Sequence, residues 1–454
     1  MNADMNAAKT AEAIKHYHAL LHTARAQDAI QKLQAAITRY NLRFGTRAIC
    51  SALRPFLLPA AQYEYFRDES LLVLTAIQKL YRALVADARL RAELDLTRDE
   101  ELLCKIEPGF AAPDVSGRLD AFLDSRGDFS FVEYNADSPG GLLYGDVLAE
   151  TFLDMDILRE FGRKYPVRRV RIRPRLLQTL LETYREWGWQ ERPRIAIVDW
   201  KEVQTRAEFD ICRAYFEAQG YPTVIVDPGE LEYRGGWLRA GDFQVNLVYK
   251  RVVIGELLAR GGLQHPLVRA VKERAVCCVN SFRAQMLFKK SLFALLDDPA
   301  QERLFSAQEL AALRKHIPWT RKLREGHTTY RGRRIDLLEF VAANRDRLVI
   351  KPNGDYGGRG VCLGWESDYA DWVQEIQDAL GGSFVVQERV EVLPQTFPLL
   401  VGDEIKLEER FVDFDPYTWG GEDIDGAGIR LSSSALLNVS AGGGSATPLL
   451  LLEN

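Results

Sequence analysis

The glycine-rich segment on which the rest of the chain depends is Leu348-Val349-Ile350-Lys351-Pro352-Asn353-Gly354-Asp355-Tyr356-Gly357-Gly358-Arg359-Gly360-Val361. A short β-branched run ends at Lys351, a glycine loop follows, and residues 361–365 predict a second strand, so the segment predicts a β-hairpin with a flexible tip. Glycines let several backbone N–H groups point at one ligand, and Lys351 and Arg359 add positive charge. The pattern favours a polyphosphate ligand; the alternative is an ordinary hairpin with a glycine loop.

Composition and charge narrow the class of protein. The 454 residues are enough for two to four domains, and 47% hydrophobic and 27% charged residues are ordinary for a globular chain. A net charge of −5 argues against a nucleic-acid partner and against a membrane-surface protein. The six cysteines lack metal-ligand spacing and the N-terminus lacks a leader pattern. We therefore expect reduced thiols and a cytoplasmic protein.

The N-terminal part of the chain predicts a helical region. Residues 8–40 and 69–96 carry apolar side chains at helical spacing. His18 and His22 lie four residues apart in the first of these, which is the spacing of a metal-binding helix face. No third ligand accompanies them, so we interpret them as packing or surface residues.

Polar and apolar residues alternate in two segments, 116–123 and 129–135, which predicts a β-hairpin around a polar turn. Residues two apart on a strand share a face, so polar side chains of both strands can converge. Those side chains are Arg118, Asp120, Glu133 and Asn135. Carboxylate and amide oxygens without His or Cys suit a hard cation such as Mg²⁺. The alternative is a solvated polar face with an arginine–aspartate pair.

The middle of the chain predicts an α/β unit. Strand, helix and strand follow one another with short connections, which predicts a parallel pair. The segments are strands at 194–199, 223–227, 245–251 and 276–280, and a helix at 208–219. Lys250 and Arg251 at a strand end have no assigned role. Ser281 is expected to cap a helix over residues 283–296, which carries Lys289 and Lys290.

The C-terminal part predicts further strands and helices around the glycine-rich hairpin. The predicted helices are 336–345 and 368–380, and the predicted strands are 383–390, 404–415, 429–432 and 436–440, followed by a flexible loop at 441–445.

This part of the chain resembles the nucleotide-binding half of an ATP-grasp enzyme. The resemblance lies in the order of its segments: the strand ending at Lys351, the glycine loop, a helix, and an apolar strand ending Gln-Glu-x-Val. In that family two α+β lobes hold ATP between them. The resemblance implies that Lys351 meets the phosphates under a loop containing Gly357, Gly358 and Gly360. It also implies that adenine is bound at Gln387, Glu388 and Val390. Lys290 is expected to be the other ATP lysine, with Lys289 a close competitor.

The order of the motifs resembles that of the circularly permuted ATP-grasp proteins such as glutathionylspermidine synthase. In those proteins an Arg-x-Asp strand is followed by Glu-Tyr-Asn-Ala-Asp-x-Pro, and residues 118–120 and 133–139 match this pattern. The resemblance implies Mg²⁺ at Asp120, Glu133 and Asn135, with Arg118 at the terminal phosphate and Arg430 facing the metal ligands across a cleft. Residues 438–445 also resemble the closing strand and loop of that family. We expect no amidase domain in the residues before the match, because they show no catalytic Cys–His pair.

The resemblance implies a mixed α+β and α/β chain with a circularly permuted ATP-grasp fold and a Rossmann-like pre-ATP-grasp domain. The expected units are a helical region at 1–115, a metal-ligand hairpin segment at 116–190, a Rossmann-like domain at 191–280 and ATP-grasp lobes at 281–454. The implied activity is an ATP-dependent ligase that joins a small-molecule or peptide carboxylate to an amine through an acyl phosphate. A phosphotransferase on the same fold and a nucleotide-binding protein without turnover remain alternatives.

Overall fold

The N-terminal region is mostly helical, as its periodicity predicts. The computed structural model describes residues 2–124, 127–392, 394–434 and 444–453. The elements of the first region are α1 (Asn2–Leu21), α2 (Arg25–Arg39), β1 (Arg43–Phe44), β2 (Arg47–Ala48), β3 (Phe56–Pro59), α3 (Ala60–Ala86), α4 (Ala88–Ala92) and α5 (Arg98–Cys104). The helix predicted over 8–40 is two helices, because Thr23 Oγ1 donates to Leu20 O and accepts from Arg25 N–H, which turns the chain.

The polar hairpin predicted from alternation forms and is followed by helices. The elements are β4 (Ser116–Leu123), β5 (Phe129–Asn135), α6 (Tyr144–Asp154), α7 (Asp156–Gly162), β6 (Val167–Arg168) and α8 (Ile172–Glu186). Strands β4 and β5 pair antiparallel, with Asp120 opposite Glu133 and Arg118 opposite Asn135. The four polar residues therefore meet in two adjacent cross-strand pairs.

The α/β unit has a four-stranded parallel sheet in the order β13-β12-β7-β8. Its elements are β7 (Ile195–Val198), α9 (Arg206–Ala218), β8 (Thr223–Val226), β9 (Leu231–Arg234), β10 (Trp237–Ala240), β11 (Phe243–Val245), β12 (Leu247–Lys250), α10 (Ile254–Gly261), α11 (Pro266–Lys272) and β13 (Cys277–Val279). Since β8 lies on one side of β7 and β12 on the other, the strand order reverses between β7 and β12.

The glycine-rich hairpin belongs to a second sheet, in the order β14-β19-β17-β18. The elements are α12 (Ala284–Phe288), α13 (Ser291–Leu296), α14 (Ala307–His316), β14 (Thr320–Lys322), β15 (His327–Tyr330), β16 (Arg333–Asp336), α15 (Leu337–Ala343), β17 (Leu348–Pro352), β18 (Cys362–Leu363), α16 (Tyr369–Leu380) and β19 (Phe384–Glu388). This lobe has its own hydrophobic core around the buried Trp372.

The helix predicted over 283–296 is interrupted at Lys289 and Lys290. Asn353 from the glycine-rich segment enters the break, where its backbone oxygen accepts from Lys290 N–H and its Oδ1 accepts from Ser291 N–H. The predicted Ser281 cap is also wrong, because Ser281 Oγ donates to Pro113 O. Tertiary contacts therefore override the local helical pattern here.

The last strands join the polar hairpin in one large sheet. They are β20 (Pro394–Val401), β21 (Glu404–Trp419), β22 (Asp423–Ser432), β23 (Ser445–Ala446) and β24 (Leu449–Leu452). The sheet runs β23-β22-β21-β4-β5, with β20 also paired to β21. The predicted strand at 436–440, and the loop at 441–445 up to Gly443, lie outside the described residues. Of the helices that the structure describes, none is both long and apolar enough to cross a membrane.

Candidate active site

A cavity of about 900 Å³ lies where the two hairpins, the parallel sheet and the C-terminal sheet meet. All the site residues predicted from the sequence line this cavity except Gly360. They are Arg118, Asp120, Glu133, Asn135, Lys290, Lys351, Gly357, Gly358, Gln387, Glu388, Val390 and Arg430. Residues more than 300 positions apart thus share one site.

The hairpin residues expected to bind metal contact one another. Asn135 Nδ2 donates to Asp120 Oδ1 at 3.0 Å and to Glu133 Oε1 at 3.2 Å. Burial alone would raise the pKa of Glu133, but Lys290, Lys351 and the hydrogen bond from Asn135 together lower that pKa. Glu133 is therefore ionised at neutral pH.

Two arginines neutralise Asp120. Arg118 Nε lies 2.7 Å from Asp120 Oδ1, and Arg430 Nη2 lies 2.6 Å from Asp120 Oδ2. Burial would raise the pKa of Asp120, but the two guanidinium groups hold it well below its usual range. Asp413, directly opposite Arg430 on β21, accepts from Arg430 Nε at 2.6 Å. The result is a buried network that fixes both arginines beside the metal-type ligands.

The structure distinguishes the two candidate lysines. Lys290 Nζ lies 3.2 Å from Glu133 Oε2 and donates to Asp355 O in the glycine loop at 2.7 Å. Lys289 Nζ instead lies 2.9 Å from Glu100 on α5 and does not line the cavity. Only Lys290 of the pair faces the site.

Lys351 lies between the hairpin and the predicted adenine edge. Its Nζ donates to Gln387 Oε1 at 2.7 Å and to Val132 O at 3.3 Å. Burial lowers the pKa of Lys351 to about 8, although Glu133 acts in the opposite direction. A polyanion in the cavity would favour the charged form.

The segment after β19 contains a backbone N–H group that can donate to a ligand. Arg389 N–H donates to Arg347 O, whereas no acceptor for the Val390 N–H is found among the described residues. Glu388 Oε1 accepts from Tyr330 Oη at 2.8 Å and from Arg331 Nη2 at 3.0 Å, so its carboxylate is held by the turn between β15 and β16. Apolar side chains from β17 and β18, Val349 and Leu363, line the cavity beside it.

The glycine loop adopts left-handed backbone angles. Gly357, Gly358 and Gly360 have φ of 71°, 74° and 65°, which side chains with a Cβ rarely adopt. Gly360 packs on Pro352, where an added Cβ would lie 2.8 Å from Pro352 Cγ, so its role is to shape the loop. The Tyr356 hydroxyl donates to Glu256 on α10 and connects the loop to the α/β unit.

No protein-family model and no curated protein matches the sequence. Among solved structures, the chain resembles a glutathione synthetase-like effector (GSS30) from Globodera pallida in its apo form. The TM-score is 0.60 at 13% identity, and the alignment covers 94% of this chain and 96% of that chain. The similarity extends over nearly the whole of both molecules. The chain therefore shares the fold of that protein.

Two further solved structures overlap with parts of this chain at much lower similarity. D-alanyl-alanine synthetase A from Vibrio cholerae O1 has a TM-score of 0.27 at 10% identity and covers 49% of this chain and 68% of its own. The ATP-grasp ligase PsnB, solved with minimal precursor, Mg and ADP, has a TM-score of 0.27 at 16% identity. The alignment covers 55% of this chain and 90% of that chain. The permuted order and the domain boundaries stay predictions.

The donor atoms of this site, two carboxylates and an amide oxygen, are of the type that a hard cation takes. In the described part of the chain no group of three or more His, Cys, Asp or Glu side chains could hold a metal ion, so the amide oxygen of Asn135 would be needed. Asn135 already bridges Asp120 and Glu133, and an amide turned by 180° presents its oxygen to the same space. Asp120, Glu133 and Asn135 would hold Mg²⁺ together with oxygens of a bound phosphate.

Several cavity-lining residues received no role in the sequence analysis. Arg251 lines the cavity, whereas Lys250 is fully buried against Asp137. Asp199 and Trp200 follow β7 directly, and Asp415 lies on β21 beside both arginines. The available signal for Asp199 was its position at the carboxyl end of a parallel strand, where ligands of α/β sheets bind.

Proposed function

We propose that the protein is an ATP-dependent carboxylate–amine ligase. The observation that carries the proposal is the convergence of Lys290, Lys351, Arg118 and Arg430 on the hairpin carboxylates in one cavity. Four cations around three oxygen ligands are more than a passive binding site needs and match what a transferring phosphoryl group requires. The fold shared with a glutathione synthetase-like protein supports the same class of reaction.

Nucleotide binding would use three parts of the site. The Val390 N–H is available to pair with adenine between the apolar side chains of β17 and β18. Lys290 and Lys351 would hold the phosphates, and the glycine loop would supply backbone N–H groups above them. Because the purine of GTP carries an oxygen where adenine carries an amine, we expect ATP to be the preferred nucleotide.

The chemistry would proceed in two balanced steps. A carboxylate oxygen of the acid attacks the γ-phosphorus of ATP, ADP leaves, and an acyl phosphate forms. The amine then attacks the acyl carbon, the C–O bond to phosphate breaks, and the amine gives up a proton as the amide forms. Arg118 and Arg430 stabilise the charge of the transferring group. Mg²⁺, when bound by Asp120, Glu133 and Asn135, would supply further charge neutralisation at the phosphates.

The direct test is product formation from defined mixtures of carboxylic acids and amines. The protein is incubated with ATP, Mg²⁺, carboxylic acids and primary amines, and both ADP and product masses are recorded. We expect ADP only when an acid and an amine are present together, and an amide product smaller by one water than the two substrates combined. A stable phosphorylated product would instead identify a phosphotransferase, and the absence of ADP from every pool would contradict the proposal.

The Lys351→Ala variant tests the nucleotide site separately. Lys351 lies beside the loop and contributes little to a core, so the variant should fold normally. Losing one charged contact should weaken ATP binding about tenfold or more. Isothermal titration calorimetry measures the affinity, and wild-type ATP affinity in the variant would remove Lys351 from the site.

A further inference from the structure

The cavity also contains a carboxylate, Asp199, that forms no ion pair with any described residue. Asp199 is 8% exposed and lines the cavity at the carboxyl end of β7. Its Oδ1 accepts from the Trp200 backbone N–H at 2.9 Å. Within the described residues, no Lys, Arg or His nitrogen lies within 4.0 Å of the carboxylate and no donor to Oδ2 is found. Buried carboxylates are normally paired, so this one has an unused capacity for a cation.

The nearby cations are committed elsewhere. Arg251 Nη2 donates to Pro139 O at 2.5 Å and lies 3.7 Å from Glu208. Lys250 pairs with Asp137 in the core. Burial raises the pKa of Asp199 to about 6, even though the Trp200 N–H and the charges of Arg251 and Lys250 act to lower it. A buried carboxylate that forms no ion pair of its own favours a positively charged ligand.

A second group at the same place also lacks a partner. The indole Nε1 of Trp200 is buried, and no described residue accepts its hydrogen bond. The Trp200 ring is held from the other side by Arg260, 4.2 Å above its centroid, and Arg260 pairs with Glu202. A buried indole N–H without an acceptor costs free energy, which a ligand oxygen would recover.

The topology places both groups where a ligand is expected. The strand order reverses between β7 and β12, and Asp199 and Arg251 directly follow these two strands. In open parallel sheets, ligands bind in the crevice at such a point. The same wall meets the glycine loop through Tyr356 and Glu256, so a ligand here lies within the cavity that would hold ATP.

We propose that Asp199 and Trp200 bind the α-ammonium group and an adjoining carboxylate or carbonyl oxygen of an amino acid or peptide substrate. The role of substrate rests on the proposed ligase function, whereas the binding itself can be tested without that function. The ammonium is not the reacting amine, because a nucleophilic amine must be unprotonated and a group held by a carboxylate is charged. A simple diamine would satisfy Asp199 but would leave the Trp200 N–H without an acceptor.

Binding without ATP tests the proposal. The full-length protein is equilibrated by dialysis against a library of L-amino acids and dipeptides, the same library after N-acetylation, and 1,4-diaminobutane, and retained compounds are quantified by mass spectrometry. We expect retention of free-amine members only. Asp199→Asn should reduce that retention about tenfold or more, since a charged hydrogen bond is lost. Trp200→Phe, which removes only the N–H, should reduce it several-fold.

The matched control is Asp227→Asn. Asp227 follows the neighbouring strand β8, but its carboxylate caps a turn at Gly229 and does not line the cavity. The Asp227→Asn variant should retain the same free-amine compounds as the wild type. The proposal would be overturned if Asp199→Asn retained the compounds as the wild type does, if acetylated members were retained as well as free amines, or if nothing were retained. Retention of the diamine alone would overturn the amino acid assignment. If Asp199→Asn fails to fold, Trp200→Phe decides. Retention together with no ADP formation from any pool would reject the ligase and leave this subsite standing.

Discussion

Lys289 and Lys290 are neighbours in the chain, yet their ammonium groups lie in different surroundings. Asn353 breaks the helix between them and their side chains diverge. Lys289 is paired with Glu100 in the protein interior, and Lys290 points at Glu133 and the glycine loop. One lysine therefore belongs to the fold and the other to the site.

Exchanging each lysine for methionine should separate these roles. Lys289→Met leaves the buried Glu100 without its partner, so we expect a loss of about 3 kcal/mol in unfolding free energy and unchanged ATP affinity. Lys290→Met should lower ATP affinity about tenfold or more with little change in stability. Urea unfolding and calorimetric titration measure the two quantities. The opposite pattern would exchange the assignments.

The lowered pKa of Lys351 predicts a pH dependence of nucleotide binding. Burial brings this pKa to about 8, so the free protein loses the charge as the pH rises through that value. Phosphates bind the charged form, and ATP affinity should fall by up to about tenfold per pH unit above about pH 8. Lys351→Arg, which stays charged, should show no such fall. A flat profile in the wild type would contradict this assignment.

At the scale of elements, the glycine loop is shaped by backbone angles rather than by side chains. Its hairpin was predictable because the β-branched run and the glycines are adjacent in sequence. The break at Lys289 was not, because its cause is Asn353, more than sixty residues away. Likewise, β21 and β22 extend beyond their predicted ends because each pairs with the other along most of its length.

Alanine at Gly358 should strain the loop. The φ of 74° costs a residue with a Cβ about 1 kcal/mol, so Gly358→Ala should weaken ATP binding several-fold through a less populated loop conformation. Gly255→Ala is the matched control, since Gly255 lies in α10 with open space around it and no positive φ. That variant should gain about 0.5–1 kcal/mol in stability and bind ATP normally. Calorimetry and thermal melts distinguish the two.

For the molecule as a whole, the central contact is between Asp120 and Arg430, which lie 310 residues apart. The polar faces of the two hairpins were predictable from alternation and spacing. Their meeting was expected only from a family resemblance, because no local pattern shows which strands will pair across the chain. Asp413 and Asp415 were not assigned roles for the same reason: their partners come from β22 and β4.

Neutralising Asp120 tests this long-range network. Repulsion among clustered carboxylates would suggest that Asp120→Asn stabilises the protein, but two arginines share this carboxylate and reverse that expectation. We expect a loss of about 3–5 kcal/mol. Glu133→Gln, at a site 26% exposed, should cost much less. Urea unfolding compares the two variants, and equal stability of Asp120→Asn and wild type would argue against the network.

The pairing of β4 with β21 also sets when the protein can become active during its own synthesis. A ribosome adds about 5–20 residues per second, so the 310 residues between Asp120 and Arg430 take roughly 15–60 s to emerge. Until β21 emerges near the end of that interval, the strand that carries Asp120 has an open edge, and until Arg430 emerges its carboxylate lacks one of its two cations. Nascent chains are thus exposed to mispairing at β4 for most of translation, and a chain stopped before β22 would carry the glycine loop without a complete site.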